Sequence, residues 1–356
     1  MPALPTEEQV AYMLAHPDDN LIPNIIACTS ICGIASIVFL ALRFSSQRLV
    51  SSRGPTLSDW LLIIGWVFFA VFDVCFAMTT RYGGGKHIIY VTDPRMLQIL
   101  NLANENTYCY AMAFIKLSLL SLYGSVFTSK RFRYCVWAVA AVVTTWAVSI
   151  ATVGIFQCTP IAFGWDPTIP GGYCFNYGLV VLIGGIINIV TDLTILCMPI
   201  PLVWKLHVTR QKKLLLCFTF AMGGSACIIS MVRLAFALEV GSTADGSWDN
   251  IPAGLLSVVE LMTGILAVSI PTYRPLYRRL VEGPSWVKQS IQNDYASGNR
   301  NAEYHRSFGR EGPRSVSVSA GRVSVGTRQG ISVTNQIELT VHTSKGGSWV
   351  RVPDEE

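Results

Sequence analysis

Residues 134–156 read YCVWAVAAVVTTWAVSIATVGIF, and the stretch without charge continues to Trp165; a second uncharged stretch runs from Pro167 to Thr191. About 20 apolar residues are enough to carry a helix across the hydrocarbon core of a bilayer. A helix on a soluble core keeps a polar face, whereas these runs are apolar all round. Working outward, seven such segments are predicted: Leu21–Leu42, Asp59–Thr80, Ile99–Phe127, Tyr134–Phe156, Tyr177–Trp204, Lys213–Glu239 and Pro252–Thr272. The third is the least apolar, opening with Asn101, Asn104, Glu105 and Asn106, but Tyr108 to Phe127 holds a single charge, Lys116. Across the 356 residues only 14% are charged, against about 25% in soluble domains. The reading is an all-α membrane protein built as a seven-transmembrane helix bundle.

Basic residues set the orientation. With the N-terminus outside, the cytoplasmic connections hold Arg43, Arg48, Arg53, Lys130, Arg131, Arg133, Lys205, Arg210, Lys212 and Lys213, and the proximal tail adds Arg274, Arg278 and Arg279. The outer loops hold only Arg81, Lys86 and Arg95. That bias predicts an outside N-terminus and a cytoplasmic C-terminus, and it accounts for the net charge of +5 as a topology signal, with no nucleic-acid partner implied. The predicted organisation is a short extracellular segment (1–20), the membrane domain (21–280) and a disordered cytoplasmic tail (281–356) rich in Ser, Arg and Gly. The acidic first 20 residues lack a basic, then apolar, leader pattern, so the first span is expected to serve as its own insertion signal. In the tail, Ser315, Ser317 and Ser324 follow Arg314 and Arg322 at spacings that basic-directed kinases accept; plain solvated low complexity is the alternative.

Six ionisable side chains fall inside the spans: Asp73, Glu105, Lys116, Asp192, Arg233 and Glu260. Such groups are costly in lipid, so they should face the bundle interior and pair. Depth, counted at about 1.5 Å per residue, puts Glu105, Arg233 and Glu260 together in the outer half, as a candidate ligand pocket. Lys116 and Asp192 fall deeper, as an inner ionic lock, and Asp73 near the middle of the second span. Asn188 and Asp192, one turn apart, share a face of the fifth span. Equally, these pairs could serve only to fix helix rotation. Of ten cysteines, only Cys158 and Cys174 lie in a loop, 16 residues apart on the oxidising side. They are placed for a disulfide that pins the loop over the bundle mouth, two free thiols being the alternative. No HExxH occurs and none of the five histidines lies in a span, which argues against an intramembrane metalloenzyme. Gly83-Gly84-Gly85-Lys86-His87 misses the phosphate-loop pattern, because Thr80 stands where a Gly is needed and His87 where Ser or Thr is.

Taken in order, Arg43-Phe44 with Asp59-Trp60, the Gly83–His87 run, Lys116 through Tyr123, Cys158-Thr159-Pro160 through Trp165 to Cys174, Asn188 to Asp192 with Pro199-Ile200-Pro201, Arg233, Glu260 and Arg274-Pro275 resemble the fungal rhodopsin-like integral membrane family. That family includes satratoxin-cluster-type proteins and Pth-type receptor-like proteins. The resemblance implies a rhodopsin-like bundle, often in the plasma membrane, acting as a receptor or as an accessory protein of secondary-metabolite clusters. It implies no enzyme. A retinal opsin needs a Schiff-base lysine in its last helix; Pro252–Thr272 has none, so no retinal cofactor is expected. The inner end of the third span reads Ser121-Leu122-Tyr123 in place of the acidic-Arg-aromatic triplet of common G-protein-coupled receptors. The expected function is a receptor-like protein sensing a small ligand from the outer side, in contact with membrane lipids, with its basic inner loops and tail meeting a cytoplasmic signalling partner. A transporter or accessory protein is the competing expectation.

Overall fold

The computed structural model describes residues 6–48, 54–127, 129–166, 168–175, 177–201, 223–237, 245–273, 342–345 and 348–351. A short helix α1 (Glu7–Ala15) precedes α2 (Ile22–Arg48), α3 (Leu57–Thr79), α4 (Pro94–Val126), α5 (Lys130–Ile155), α6 (Tyr177–Cys197), α7 (Gly223–Ala237) and α8 (Gly246–Ser269). Six of these helices are long and apolar enough to cross a membrane, and the shorter apolar α7 packs with them. Six of the predicted spans thus meet a long helix, while residues 213–222 of the sixth span lie outside the described residues, as do Ser315, Ser317 and Ser324. In the tail, expected to lack structure, the described residues form an antiparallel pair, β3 (His342–Lys345) with β4 (Ser348–Arg351). The sequence signal for it is Gly346-Gly347 between residues of strand-forming type.

Helix starts are chemically marked. Asp93 caps α4 by accepting from the Met96 N–H at 3.1 Å, with Pro94 in the first turn where no amide hydrogen is needed. Asp59, at the start of α3, accepts from the Thr56 amide at 2.8 Å and the Thr56 hydroxyl at 2.6 Å, closing a capping box.

Long-range hydrogen bonds fix the direction of each helix. Leu21 N–H donates to the Gly85 carbonyl, and Gly85 N–H donates to that of Ser247, so the starts of α2 and α8 meet the end of α3. At the opposite end, Arg43 near the close of α2 donates to the Val268 carbonyl of α8 at 2.7 Å, and Ser58 of α3 donates to the Ser118 carbonyl of α4. Helices α2, α4 and α8 therefore run one way and α3 the other. Side chains that meet apolar partners at their buried faces (Leu62, Phe69, Val258, Leu261, Ile265) form the core between α2, α3, α4 and α8. Ile31, Ile34, Val67, Val71, Trp137, Leu179 and Ile183 lie on the exposed faces, where hydrocarbon is a suitable solvent. Lipid is as apolar as these side chains, so close packing has to hold the helices together. At Gly65 a Cβ would stand 3.2 Å from side-chain atoms of Phe114 and Ile115, and its absence lets α3 lie tight against α4.

Arg43 departs from its expected place as a loop cation. It is fully buried in α2, with Nη2 2.8 Å and Nε 2.9 Å from Asp59 Oδ1 and Nη2 3.1 Å from Ser58 Oγ. Gln47 also donates to Asp59 Oδ1 at 2.7 Å. The helix continues beyond the apolar run to Arg48, and Asp59 at the start of α3 meets Arg43 and Gln47 on its last turns.

Removing one partner of a buried pair strands the other. Asp59→Leu is expected to destabilise the detergent-purified protein by about 3–5 kcal/mol, while Arg43→Met combined with Asp59→Leu loses clearly less than the two single losses added. Additive losses in thermal denaturation would show that the pair carries no coupling.

Candidate functional site

The fourth intramembrane acid from the sequence list, Glu260, organises the site. It is 2% exposed and sits 14 residues into α8, about 21 Å along the helix from Gly246. Tyr108 of α4 donates to its Oε2 at 2.8 Å, and Arg233 of α7 donates through Nε to the same oxygen at 3.0 Å. Oε1 accepts from Asn188 Nδ2 of α6 at 3.2 Å and from the Ser230 hydroxyl of α7. Two carboxylate oxygens offer about four lone-pair sites, and four donors occupy them. The Arg233 guanidinium also lies 4.7 Å from the centre of the Tyr108 ring, a cation–π contact made away from water.

The second ion pair joins the first without a break. Lys116 of α4 stands 2.8 Å from Asp192 Oδ1 of α6. Its Nζ also donates to Asn188 Oδ1 at 2.8 Å, the Asn188 carbonyl at 3.0 Å and Thr191 Oγ1 at 2.9 Å. Ser230 reaches Asp192 Oδ2 at 3.3 Å as well as Glu260. Asn188, fully buried, thus accepts from Lys116 and donates to Glu260. Lys116 further lies 5.7 Å from the Trp146 ring, whose indole N–H donates to the Gly184 carbonyl at 2.9 Å. Two cations and two carboxylates balance within one cluster shared by α4, α6, α7 and α8.

This arrangement corrects the expected separation into an outer pocket and an inner lock. Counting from Pro252 put Glu260 two turns into its helix, but α8 begins at Gly246 with Pro252 inside it. Glu260 therefore lies deeper, level with Asn188 and bonded to it. Glu105 is half-buried, three residues before Tyr108 on α4. Asp73, expected in the ionic network, is not part of it. Its carboxylate faces α2, where a Cβ on Gly33 would be 3.0 Å from Oδ2, and its Oδ1 is buried with no hydrogen-bond partner among the described residues. Tyr108, Ser230 and Thr191 were not singled out from sequence. Their signal is spacing: Ser230 precedes Arg233 by three residues, Thr191 sits beside Asp192, and Tyr108 lies eight residues, about two turns, before Lys116.

Cys158 and Cys174 are joined in a disulfide, opposite each other across the two-stranded pair β1 (Cys158–Thr159) and β2 (Tyr173–Cys174). The Gly83–His87 run is a clasp with no free phosphate cradle. Gly83 and Gly85 adopt φ of 100° and 89°, which glycine takes without strain. The amides of Gly84, Gly85 and Lys86 donate to the carbonyls of Thr79, Ser247 and Gly83.

The model of the fungal rhodopsin domain matches residues 42–279, about two thirds of the chain and every helix of the cluster. The chain belongs to the fungal rhodopsin family. Among its relatives, a SAT4 family membrane protein of Emericella nidulans is 30% identical over a region covering 63% of this chain and 57% of that relative. A protein of Arthrobotrys oligospora named Receptor GIN3 is 26% identical, over 74% of this chain and 64% of its own length. Satratoxin biosynthesis SC1 cluster protein 4 of Stachybotrys chartarum is 27% identical, over 52% and 68%. The chain thus spans less than two thirds of the length of the first and second of these. The family and the apolar helices together make it a multi-pass membrane protein.

A double-mutant cycle on Arg233→Met and Glu260→Gln is expected to return a coupling of about 0.5–3 kcal/mol in chemical denaturation. Asp73→Asn, outside the cluster, is expected to add independently to either change. A coupling near zero for Arg233 and Glu260 would mean that the pair does not hold α7 to α8.

Proposed function

We propose that this member of the fungal rhodopsin family is a non-enzymatic, receptor-like protein of seven spans that senses a small ligand from the outer side of the plasma membrane. In this reading its N-terminus is outside and its C-terminus cytoplasmic, as the basic residues of its connections favour. The observation that carries the proposal is the closed cluster around Glu260. A carboxylate whose four acceptor sites are filled from three neighbouring helices has no spare capacity. A ligand that bonds to Glu260 must displace an existing partner, and the helix bearing that partner moves with it. Binding energy so becomes a shift between two arrangements of α7 against α4 and α8. The basic inner connections and the serine-rich tail, with Ser315, Ser317 and Ser324, would pass that shift to a cytoplasmic partner. A relative bearing the name of a receptor supports the same class.

Retinal does not fit the residues present. Helix α8 has no lysine for a Schiff base, and Lys116 on α4 is already engaged by Asp192, Asn188 and Thr191. One observation favours a second reading, as a transporter or accessory protein of metabolite handling. The unpartnered Asp73 oxygen, buried between α2 and α3, has the character of a proton-carrying group.

The test is thermal stability of the purified full chain against a panel of secondary metabolites and lipids. A ligand of the folded state stabilises by about 2.7 kcal/mol at a hundred times its dissociation constant. The receptor reading expects such a compound, with its effect lost in Glu105→Gln. It is abandoned if no compound shifts the wild type while a pH gradient drives metabolite flux that Asp73→Asn abolishes.

A further inference from the structure

Outside the Glu260 cluster, a cleft of about 370 Å³ opens where α1 lies against the start of α8 and the glycine-rich clasp. Its walls include Glu8 and Tyr12 of α1, His87 of the clasp, and Asp245, Trp248 and Asp249 at the head of α8. Among the described residues no lysine or arginine lines it. His87 is 5% exposed and its ring stacks on the indole of Trp248 at 4.6 Å, with Tyr12 edge-on at 6.4 Å.

The protonation pattern of His87 follows from its neighbours. Nδ1 lies 2.5 Å from Asp245 Oδ2, while Asp245 Oδ1 accepts from the Ile88 amide at 2.9 Å and the Ser247 hydroxyl at 3.1 Å. A carboxylate only accepts, so the proton between them sits on Nδ1. In the neutral imidazole this leaves a lone pair on Nε2. Nε2 is buried and has no hydrogen-bond partner among the described residues. With Nδ1 held by Asp245, Nε2 is the ring nitrogen left for an occupant of the cleft, which meets it by shifting the side chains that cover it. An unpaired acceptor in such a place is costly until a donor meets it.

We infer that this cleft binds a protonated primary or secondary amine carried on a small apolar body. The ammonium donates to His87 Nε2, and the carboxylates of Glu8 and Asp249 balance its charge. Neither of those carboxylates makes a hydrogen bond or ion pair among the described residues, so both are available. Trp248 and Tyr12 supply aromatic faces to the cation and to its apolar body. An anion is rejected by the carboxylates of Glu8, Asp245 and Asp249. A quaternary ammonium satisfies the charge but leaves Nε2 without a donor, and the site discriminates against it for that reason.

The experiment uses the full chain in lipid nanodiscs and isothermal titration with 2-phenylethylamine, its N,N,N-trimethyl counterpart, phenylacetate and zinc chloride. The expected result is saturable binding of 2-phenylethylamine, weakened roughly tenfold in the Glu8→Gln, Asp249→Asn double variant and roughly tenfold for the trimethyl compound. Those two side chains hold no other group, so unfolding of the variant is not expected, and an unchanged melting temperature without ligand verifies it. Absence of saturable amine binding overturns the inference. So does equal binding of the quaternary compound, equal binding by the double variant as simple lipid partitioning would give, or saturable binding of zinc in place of the amine.

Discussion

Glu260 is a carboxylate in the middle of a bundle whose outer faces suit hydrocarbon, and each of its acceptor sites is taken by a donor from another helix. Apolar packing alone defines helix rotation poorly in a membrane, because a leucine gains little by facing another helix in place of a lipid chain. A buried charge is different. Turning α8 by one residue, about 100°, would carry Glu260 out of reach of Tyr108, Asn188, Ser230 and Arg233 together. The rotation of α4, α6 and α7 follows, since each also contributes to the Lys116–Asp192 half of the cluster or holds a donor to Glu260.

The same helix anchors both ends of the bundle. At one end the Val268 carbonyl of α8 accepts from Arg43, and the Thr272 carbonyl just beyond it accepts from Ser46 of α2. At the other, Asp245 holds His87 and Ile88 while the Ser247 carbonyl accepts from Gly85. Three polar tiers, separated by layers of Val258, Leu261 and Ile265, therefore attach α8 to the rest of the chain. The apolar layers tolerate sliding and the polar tiers do not, because a buried group left without its partner costs more than a methylene moved along a smooth surface. Register is set at the tiers and area is filled between them.

The apolar runs were legible because the signal is local: residues 134–156 need no neighbour to declare a membrane helix. The family was legible from ordered short motifs, each weak alone. Arg233 and Glu260 were expected in an outer ligand pocket with Glu105, and Lys116, Asn188 and Asp192 in an inner network with Asp73. That the charges among them pair was legible, because a charge in an apolar run demands a partner. Their grouping was not. Depth was counted from an apparent helix start at Pro252, and proline within the opening turns of a helix extended back to Gly246 misled the count by six residues. Arg43 was taken for a loop cation because charge at the edge of an apolar run has two causes, topology and buried pairing, and only the position of Asp59 in space separates them. Tyr108 and Ser230 are common residue types that acquire meaning only from the carboxylate they meet. His87 and Asp245 lie 158 positions apart in loops, where no periodicity links them.

A saturated cluster also limits what chemistry could move it. Lys116 has three N–H groups and four acceptors within 3.0 Å, so it can exchange partners without leaving any donor idle. Glu260 has no such latitude. Withdrawing α7 removes the Ser230 and Arg233 donors together and leaves a buried carboxylate with two of its four bonds. A molecule that stabilised that arrangement would have to bring donors of its own, preferably cationic, and present them between α4 and α8. An apolar ligand in that place would leave Glu260 short of two donors, a loss its packing would have to offset. On the receptor reading, the polarity of the agonist is thus dictated by the carboxylate it has to satisfy.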